Sequence, residues 1–570
     1  KNTIILEPSG KPMNAGRENP DLLYPSAEKR DALNRRRIML AEKYSGAFLG
    51  DLMAENAARA IMPRNPNAVM KLFREVCNDV ETAEYRLDAL EDVMNCPRLS
   101  PAVHKAAREL LESEHKCAGG GSPDSFGALS SVTEALDCYI GSMEELHRLY
   151  GEISGKLRSR AFGKFFGEIE ERYNSEDFGE MKRNIAELRE VLSKRIRSVT
   201  VAINFNEEMK PTAAGIVGVS DKAAGEKPSV FDRIFYKNAA RLDTDVMGKM
   251  RRSGDDELAG YGYIREADKA LFTALEKITG EYVARLRGAL ASFERLTFES
   301  ISRIEEQLEI YDGLAKIVMS AESRGLKMCR PVLNESGREG EIKGLFDPCF
   351  FLKAAAAKPY DKGDELIVRN DISFDDKGRF YILTGPNNGG KTTFVRGVGL
   401  CFLMGMTGFY VTAERCEISL CDYIFTHFPK EEETGINASR FTTEIKDMKI
   451  ISETATERSL LLMNESIQST TPTECAEIAE ELVRIFCIIG VRGIFATHIT
   501  EVAKKCGEIA DDPDCGSVPV SITARAEEGK RLYRILPGEP MHSGLAGDIF
   551  REFGISADEI RKRKNKKSDE

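Results

Sequence analysis

The stretch that decides the fold of this chain is FYILTGPNNGGKTT, residues 380–393. Its first four residues are apolar and predict a short buried strand, and a helical pattern follows from Phe394. Between them the pattern G-x-x-x-x-G-K-[ST] places a glycine-rich loop at the start of a helix. Such a loop points backbone N–H groups and the positive end of a helix dipole toward phosphate oxygens. The segment therefore predicts a phosphate-binding loop within an α/β domain.

The loop residues are candidate ligands for ATP and its Mg²⁺. Lys391 is expected to reach the β- and γ-phosphates, and the hydroxyl of Thr392 to approach the metal. The alternative is a glycine-rich turn without a ligand, which the strand–loop–helix context disfavours. The candidate nucleotide-binding residues are Gly385, Pro386, Asn387, Asn388, Gly389, Gly390, Lys391, Thr392 and Thr393.

Two later apolar segments end in polar residues that suit the same chemistry. Residues 460–463 precede Asn464 and Glu465, and residues 493–497 precede His498. A carboxylate such as Glu465 can orient an attacking water, while Asn464 can hydrogen-bond metal-bound water without adding charge. A histidine at such a strand end can sense the γ-phosphate. Polar strand ends without a function, and a structural histidine, are the alternatives.

Composition limits the class of protein. A chain of 570 residues is longer than a single hydrophobic core supports, so two to four domains are expected. No run of eighteen apolar residues occurs, and we expect no membrane span. The thirteen cysteines form no Cys-x-x-Cys pair, which favours free thiols and a cytoplasmic location. The net charge of −11 argues against a surface coated with basic residues, but it permits a local basic groove.

The motifs at these strand ends, taken in their order along the chain, resemble those of the ATPase domain of the MutS family of DNA mismatch-repair proteins. Ser439 lies at the Ser-x-Phe position of the family's signature segment. The matching segments are 384–393 (phosphate loop), 435–444 (signature segment), 459–465 (second nucleotide motif), 496–498 (histidine switch) and 537–544 (the approach to the dimer-forming helices).

The resemblance implies a fold and an activity. The expected fold is an α/β P-loop (ABC-type) ATPase domain, preceded by a mainly α-helical lever and clamp region with a small β element. The implied function is ATP hydrolysis by a homodimer that forms through the C-terminal domain, coupled to the binding of duplex or branched DNA. In this scheme Glu465, His498 and Ser439 are catalytic, with Ser439 supplied across the dimer, while Thr392 and Asn464 approach the metal.

A weaker resemblance extends to the N-terminal half, where residues 79–99 resemble a core helix of the family that carries an Arg-Leu pair. The predicted domains are an N-terminal extension at 1–30, a helical core at 31–160, a clamp-like insertion with short strands at 161–260, lever helices at 261–345, a P-loop ATPase and dimerisation domain at 346–560 and a basic tail at 561–570.

Several departures from the family pattern qualify the function. The mismatch-reading domain and a C-terminal nuclease module are expected to be absent. Asn464 replaces the metal-side aspartate, and residues 466–472 (SIQSTTP) replace a glycine-rich loop, so hydrolysis is expected to be slow. Two alternatives stay open: a nucleotide-gated dimeric scaffold with weak ATPase activity and no DNA binding, and an SMC-like structural chromosome protein.

Overall fold

The computed structural model is rich in helices and contains three β-sheets among the residues that it describes. The residues that the structure describes are 20–119, 126–193, 198–220 except 206, 208 and 210, 301–357, 367–428, 440–467, 469–527, 530–540 and 559–561. The chain divides into two compact units. One comprises 1–20, 96–157 and 163–306, and the other comprises 21–95, 158–162 and 307–570. In the described ranges, no helix combines the length and the apolar character needed to cross a bilayer.

The second unit begins with helices that the sequence pattern predicted. Ser26 caps the first of them by accepting a hydrogen bond from the Lys29 backbone N–H, and Pro66 opens the fourth, where its missing N–H costs nothing. The helices are α1 (Ala27–Lys43), α2 (Ala47–Asp51), α3 (Ala54–Ile61), α4 (Pro66–Glu75) and α5 (Val80–Asn95).

The first unit consists mainly of long helices, and its two short strands lie within residues 161–260, where the sequence predicted short strands. The two strands pair in antiparallel fashion, from Ser198 opposite Ser220 to Phe205 opposite Pro211. The elements that follow in the chain are α6 (Leu99–Gly119), α7 (Phe126–Ile153), α8 (Arg160–Tyr173), α9 (Glu176–Ser193), β1 (Ser198–Phe205) and β2 (Pro211–Ser220). Residues 301–322 form the helix α10, whereas residues 261–300 of the predicted lever helices lie outside the described residues.

The remainder of the second unit contains a six-stranded and a four-stranded sheet. Its elements are β3 (Val332–Asn334), β4 (Gly340–Leu345), α11 (Pro348–Ala357), β5 (Asn370–Phe374), β6 (Phe380–Thr384), α12 (Lys391–Thr407), β7 (Arg415–Ser419), β8 (Ile424–His427), α13 (Arg440–Thr454), β9 (Leu460–Asn464), α14 (Pro472–Ile489), β10 (Arg492–Ala496), α15 (Thr500–Lys504), α16 (Cys506–Ala510), β11 (Pro519–Glu527) and β12 (Lys530–Pro537).

The six-stranded sheet has the order β12-β11-β6-β10-β9-β8, and every neighbouring pair is parallel except β11 and β12. Strands β9 and β10 are buried throughout, as expected for a parallel sheet covered on both faces. The register pairs Ala496 with Leu383 on one side and with Asn464 on the other. The carboxyl ends of β6, β10 and β9 therefore lie side by side.

Helix α12 is the buried centre of this unit. It is enclosed along almost its whole length and packs against β9 and β10. At Gly399 an added Cβ would lie 2.5 Å from Leu52 Cδ2 and 2.7 Å from Leu462 Cδ1, so the helix leaves no space for a side chain there. It begins at Lys391, three residues before the predicted start, because the glycine-rich loop itself passes into the first helical turn.

A buried charge network fixes the far end of α12. Arg86 on α5 has no exposed surface and donates from Nη2 to Glu75 Oε2 at 3.0 Å. It also donates from Nε to the Leu23 carbonyl at 2.8 Å and from Nη1 to the Thr407 carbonyl at 3.1 Å. The Tyr24 hydroxyl donates to the other Glu75 oxygen, and burial raises the pKa of this hydroxyl. The network thus joins α4, α5 and the last turn of α12.

Replacing Arg86 by methionine should lower the free energy of unfolding by about 3–5 kcal/mol, because Glu75 would be left buried without a counter-charge. The measurement is denaturant unfolding at neutral pH. The matched control is Arg415→Met, because the Arg415 side chain is 66% exposed beside Glu341 and Glu417, and surface pairs contribute only about 0–1 kcal/mol. An equal loss of unfolding free energy in the two variants would contradict the prediction that the buried pair contributes more stability than a surface pair.

Candidate nucleotide-binding site

The loop between β6 and α12 requires glycine at two positions. Gly385 has φ of +135°, and a Cβ there would lie 2.8 Å from the Cβ of Ala524. Gly390 caps the N-terminus of α12 with φ of +90°, a conformation that residues with a Cβ rarely adopt. The loop therefore brings its backbone close to β11 and turns into the first turn of a helix of 17 residues. The free N–H groups of that turn are suited to an anion.

Lys391 lies inside the loop and is held by the loop's own carbonyls. Its side chain donates from Nζ to the carbonyl of Gly385 at 2.9 Å and to that of Pro386 at 3.2 Å. Burial lowers the pKa of the ammonium group, an effect that the nearby Glu465 carboxylate opposes. A buried cation whose shortest hydrogen bonds go to neutral carbonyls has unused capacity for a negative ligand, which phosphate oxygens would fill.

Thr392 and Asn464 meet across the gap between α12 and β9. The Thr392 hydroxyl donates to Asn464 Oδ1 at 3.1 Å, and Asn464 itself is buried at the end of its strand. A hydroxyl and an amide oxygen are hard oxygen donors, and Mg²⁺ prefers such donors together with water and phosphate. The pair therefore fits a magnesium ion that receives most of its ligands from the nucleotide. Within the described ranges, no cluster of three or more His, Cys, Asp or Glu side chains could hold a metal alone.

Glu465 and His498 extend from neighbouring strands into the same space. Glu465 Oε1 lies 2.9 Å from His498 Nε2, and Lys391 Nζ lies 3.5 Å from that nitrogen. If Nε2 donates its proton to the carboxylate, it has no lone pair left for the ammonium. The Glu465 and His498 side chains are 31% and 37% exposed, so water can reach both. The geometry thus brings a carboxylate, a histidine and a lysine to one point.

The turn after β9 is strained. Glu465 has φ of +50° and Ile467 has φ of +60°, in the left-handed region that β-branched side chains rarely enter. The Ile467 side chain is nonetheless completely buried. Ile467 lies in the segment 466–472, where the family resemblance predicted a glycine-rich loop. Packing of Ile467 therefore holds a backbone shape that glycine would adopt without strain.

Sequence patterns did not indicate a second histidine beside this turn. His427, at the end of β8, lies with Nδ1 2.7 Å from Ser466 Oγ, and the Ser466 hydroxyl donates to the His427 carbonyl at 3.1 Å. Because the single hydroxyl proton is used on the carbonyl, Nδ1–H must be the donor in the first contact. Both residues are buried, so the pair ties the strained turn to β8.

A double-mutant cycle on this pair should give a coupling of about 0.5–3 kcal/mol in the free energy of unfolding. His427→Leu removes the donor, and Ser466→Ala removes its acceptor. His427→Asn is the matched control, because an asparagine amide can donate from nearly the Nδ1 position and should recover most of the loss. Additive effects of the two deletions would show that the contact carries no stability.

Asn370 and Tyr533 also border the loop, and no sequence pattern indicated either residue. Asn370 donates from Nδ2 to the Tyr533 carbonyl at 3.1 Å and accepts from the Ile535 backbone N–H at 2.7 Å. This brace holds Tyr533 at φ of +56°, with its side chain 3.3 Å from the position of a Cβ on Gly390. An exposed aromatic ring therefore stands beside the start of α12.

Other predicted site residues lie outside the described part of the chain. Ser439 and the rest of the predicted signature segment before Arg440 are among them, as are residues 541–544 of the predicted approach to the dimer-forming helices. Within the described part, the loop 385–393, Asn464, Glu465 and His498 occupy one edge of the sheet.

Comparison with known proteins matches two parts of the chain to family models. Residues 381–545 match the model of MutS domain V, and residues 78–319 match that of the MutS2 N-terminal domain. The chain belongs to the MutS family. The MutS domain V match contains the loop and the ends of β6, β9 and β10 together. The MutS2 match contains α5 to α9 and the hairpin of β1 and β2.

Curated MutS proteins align with part of this MutS-family chain. The DNA mismatch repair protein MutS of Thermosipho melanesiensis is 30% identical over 294 residues, which is 51% of this chain and 31% of that protein. The protein of the same name from Thermotoga sp. strain RQ2 is 29% identical over 268 residues, 43% of this chain and 33% of its own. The alignments thus span about a third of the length of these relatives.

Proposed function

We propose that the chain is a MutS-like P-loop (ABC-type) ATPase that binds and hydrolyses ATP as a homodimer and couples this cycle to DNA. The observation that carries the proposal is the convergence of Lys391, Thr392, Asn464, Glu465 and His498 at the carboxyl ends of three parallel strands. Ligands of open α/β sheets bind at that edge.

In the proposed reaction, Lys391 exchanges the carbonyls of Gly385 and Pro386 for phosphate oxygens and neutralises charge that develops on the γ-phosphoryl group. Glu465 accepts a hydrogen bond from the attacking water and orients it in line with the bond that breaks. His498 lies 2.9 Å from that carboxylate, where it holds the side chain and contacts the γ-phosphate. The exposed Tyr533 ring offers a stacking surface for the base.

Thr392 and Asn464 are the proposed protein contacts of Mg²⁺. When bound with ATP, the ion would be held by these two side chains and would withdraw negative charge from the phosphates. Because Asn464 is neutral, the site supplies less charge than one built on an aspartate. We therefore propose slow hydrolysis.

The proposal also includes a homodimer and a contact with DNA. Ser439 would be supplied by a second copy of the chain, and the C-terminal domain would form the dimer. The curated relatives are named for DNA mismatch repair, which supports DNA as the partner, and a cytoplasmic location agrees with that role. The domain boundaries predicted from the sequence belong to this proposal as well.

A nucleotide-gated scaffold with weak hydrolysis is the second candidate, and Asn464 favours it. The buried amide keeps the oxygen that meets Thr392 but lacks the charge that speeds phosphoryl transfer. Such a protein would use ATP to hold a dimer together and would bind no DNA.

Glu465→Gln should retain ATP affinity and lower the steady-state rate of hydrolysis by about 100-fold or more, because only water activation is lost. Lys391→Ala is the contrasting variant and should abolish tight ATP binding. Calorimetry measures affinity, and phosphate release measures the rate. An unchanged rate in Glu465→Gln would remove this carboxylate from the mechanism.

The prediction of DNA binding rests on a set of basic residues, and the structure does not describe the side chains of most of them. They are Lys182, Arg183, Arg189, Lys194, Arg195, Arg197, Arg233, Lys237, Arg241, Lys249, Arg251 and Arg252. Among the described ones, Lys182 pairs with Glu144, whereas Arg183 is exposed. An ordinary solvated helix is the alternative explanation for such a charge pattern.

Replacing Arg251 and Arg252 together by alanine should weaken binding to all duplexes equally and reduce the salt slope by about two units. Fluorescence anisotropy with duplex and branched DNA across a salt series, with and without ATP, measures both. Arg415→Ala is the control, because Arg415 lies on the four-stranded sheet. Failure of the unmutated protein to bind any of these DNAs at low salt would favour the second candidate function, a nucleotide-gated scaffold that binds no DNA.

A further inference from the structure

A cavity of about 280 Å³ lies where the end of α1 and helix α2 meet the chain just before β8. Its lining includes Arg37, Arg74, Tyr44, Phe48 and Tyr423. Tyr423 immediately precedes the first residue of β8, whereas the phosphate loop lies at the carboxyl ends of the parallel strands. The cavity is therefore at the opposite end of the sheet from the nucleotide site.

Two arginines in this cavity have no acidic partner among the residues that the structure describes. Arg37 lines the cavity, and its Nε is buried without a hydrogen-bond partner in the described part of the chain. The neighbouring Arg36, in contrast, donates from Nε to the Val76 carbonyl at 3.1 Å and from Nη2 to the Asp422 carbonyl at 2.5 Å. Two guanidinium groups that line one cavity without a described carboxylate beside them give the site capacity for an anion.

The opposite wall is aromatic and rigid. The Tyr44 and Tyr423 rings lie with centroids 4.1 Å apart and tilted by 31°, and Phe48 meets the edge of Tyr423 at 5.4 Å. Burial raises the pKa of the Tyr423 hydroxyl. Tyr423 and Phe48 are buried and Tyr44 is half-buried, so Tyr44 offers the aromatic surface of this wall.

We propose that this cavity binds a small ligand that carries one phosphate group on a flat ring. Planar guanidinium groups recognise phosphate through paired N–H donors, and tyrosine faces favour an aromatic ring. A volume of about 280 Å³ is near the lower limit of ligand pockets, which suits one ring and one phosphate. The class is an aromatic or heteroaromatic phosphomonoester, and binding does not depend on the phosphate loop.

The test uses full-length protein that carries Lys391→Ala, so that the phosphate loop does not add a second phosphate site. The probes are phenyl phosphate, inorganic phosphate and phenol, and calorimetry measures each affinity. Phenyl phosphate should bind with a Kd of about 1 mM or below, and at least about tenfold more tightly than either part alone. Loss of ATP binding in this background leaves the result unaffected, so the outcome is separate from that of the ATPase proposal.

Variants identify the cavity as the site. Arg37→Gln and Arg74→Gln should each weaken phenyl phosphate binding about tenfold, which is the usual effect of one charge-assisted hydrogen bond. Arg35→Gln is the matched control, because Arg35 is exposed on the same helix and does not line the cavity. Tyr44→Leu should remove the preference for phenyl phosphate over inorganic phosphate while leaving phosphate affinity unchanged.

Two results would overturn the proposal. One is an unchanged affinity for phenyl phosphate in the Arg37→Gln, Arg74→Gln double variant. The other is no saturable binding of phenyl phosphate up to about 10 mM, a concentration that corresponds to less than about 3 kcal/mol of binding free energy.

Discussion

The parallel hydrogen bonding of β6, β10 and β9 is the constraint on which the candidate site depends. Its register places Ala496 between Leu383 and Asn464, so three polar strand ends begin at the same level. No side chain of the site then needs to reach far: the contacts that join Lys391, Glu465 and His498 are 2.9–3.5 Å long. A shift of one residue along any of these strands would point its end to the other face of the sheet.

Helix α12 connects this edge with the helical part of the same unit. Its first turn forms the phosphate loop, and its last turn gives the Thr407 carbonyl to the buried Arg86. At Gly408 an added Cβ would lie 2.5 Å from the Ala83 carbonyl, so α5 approaches the end of the helix as closely as backbone permits. Displacement of the phosphate loop along the helix axis would therefore strain a buried ion pair. Movement of α12 and rearrangement around Arg86 are physically linked.

The departures from the family pattern lie where the turn after β9 meets its surroundings. Asn464 contacts Thr392 through its amide oxygen but carries no charge, and the backbone at Ile467 lies in the left-handed region. Buried packing of Ile467 and the contact between His427 and Ser466 hold that shape. The turn is thus held by side-chain contacts, and those contacts also fix the position of Glu465.

The local sequence determined the elements of the site, because strand, glycine-rich loop and helix are encoded by neighbouring residues. The apolar run at 460–463 and the glycines at 385 and 390 each specify their structure within a few positions. Charge and spacing also identified Lys391, Thr392, Asn464, Glu465 and His498 as candidates. Only the tertiary structure brought them together, since the contact between Lys391 and His498 joins positions far apart in the chain.

The four-stranded sheet, the Asn370 brace at Tyr533, the pair of His427 and Ser466 and the Arg37 cavity had no local signal. Each depends on contacts between distant segments, and on backbone angles that only packing can impose. Burial is a property of the assembled chain. For this reason the sequence could name Arg86 only as part of a helix, whereas the structure shows it enclosed against Glu75 and the end of α12.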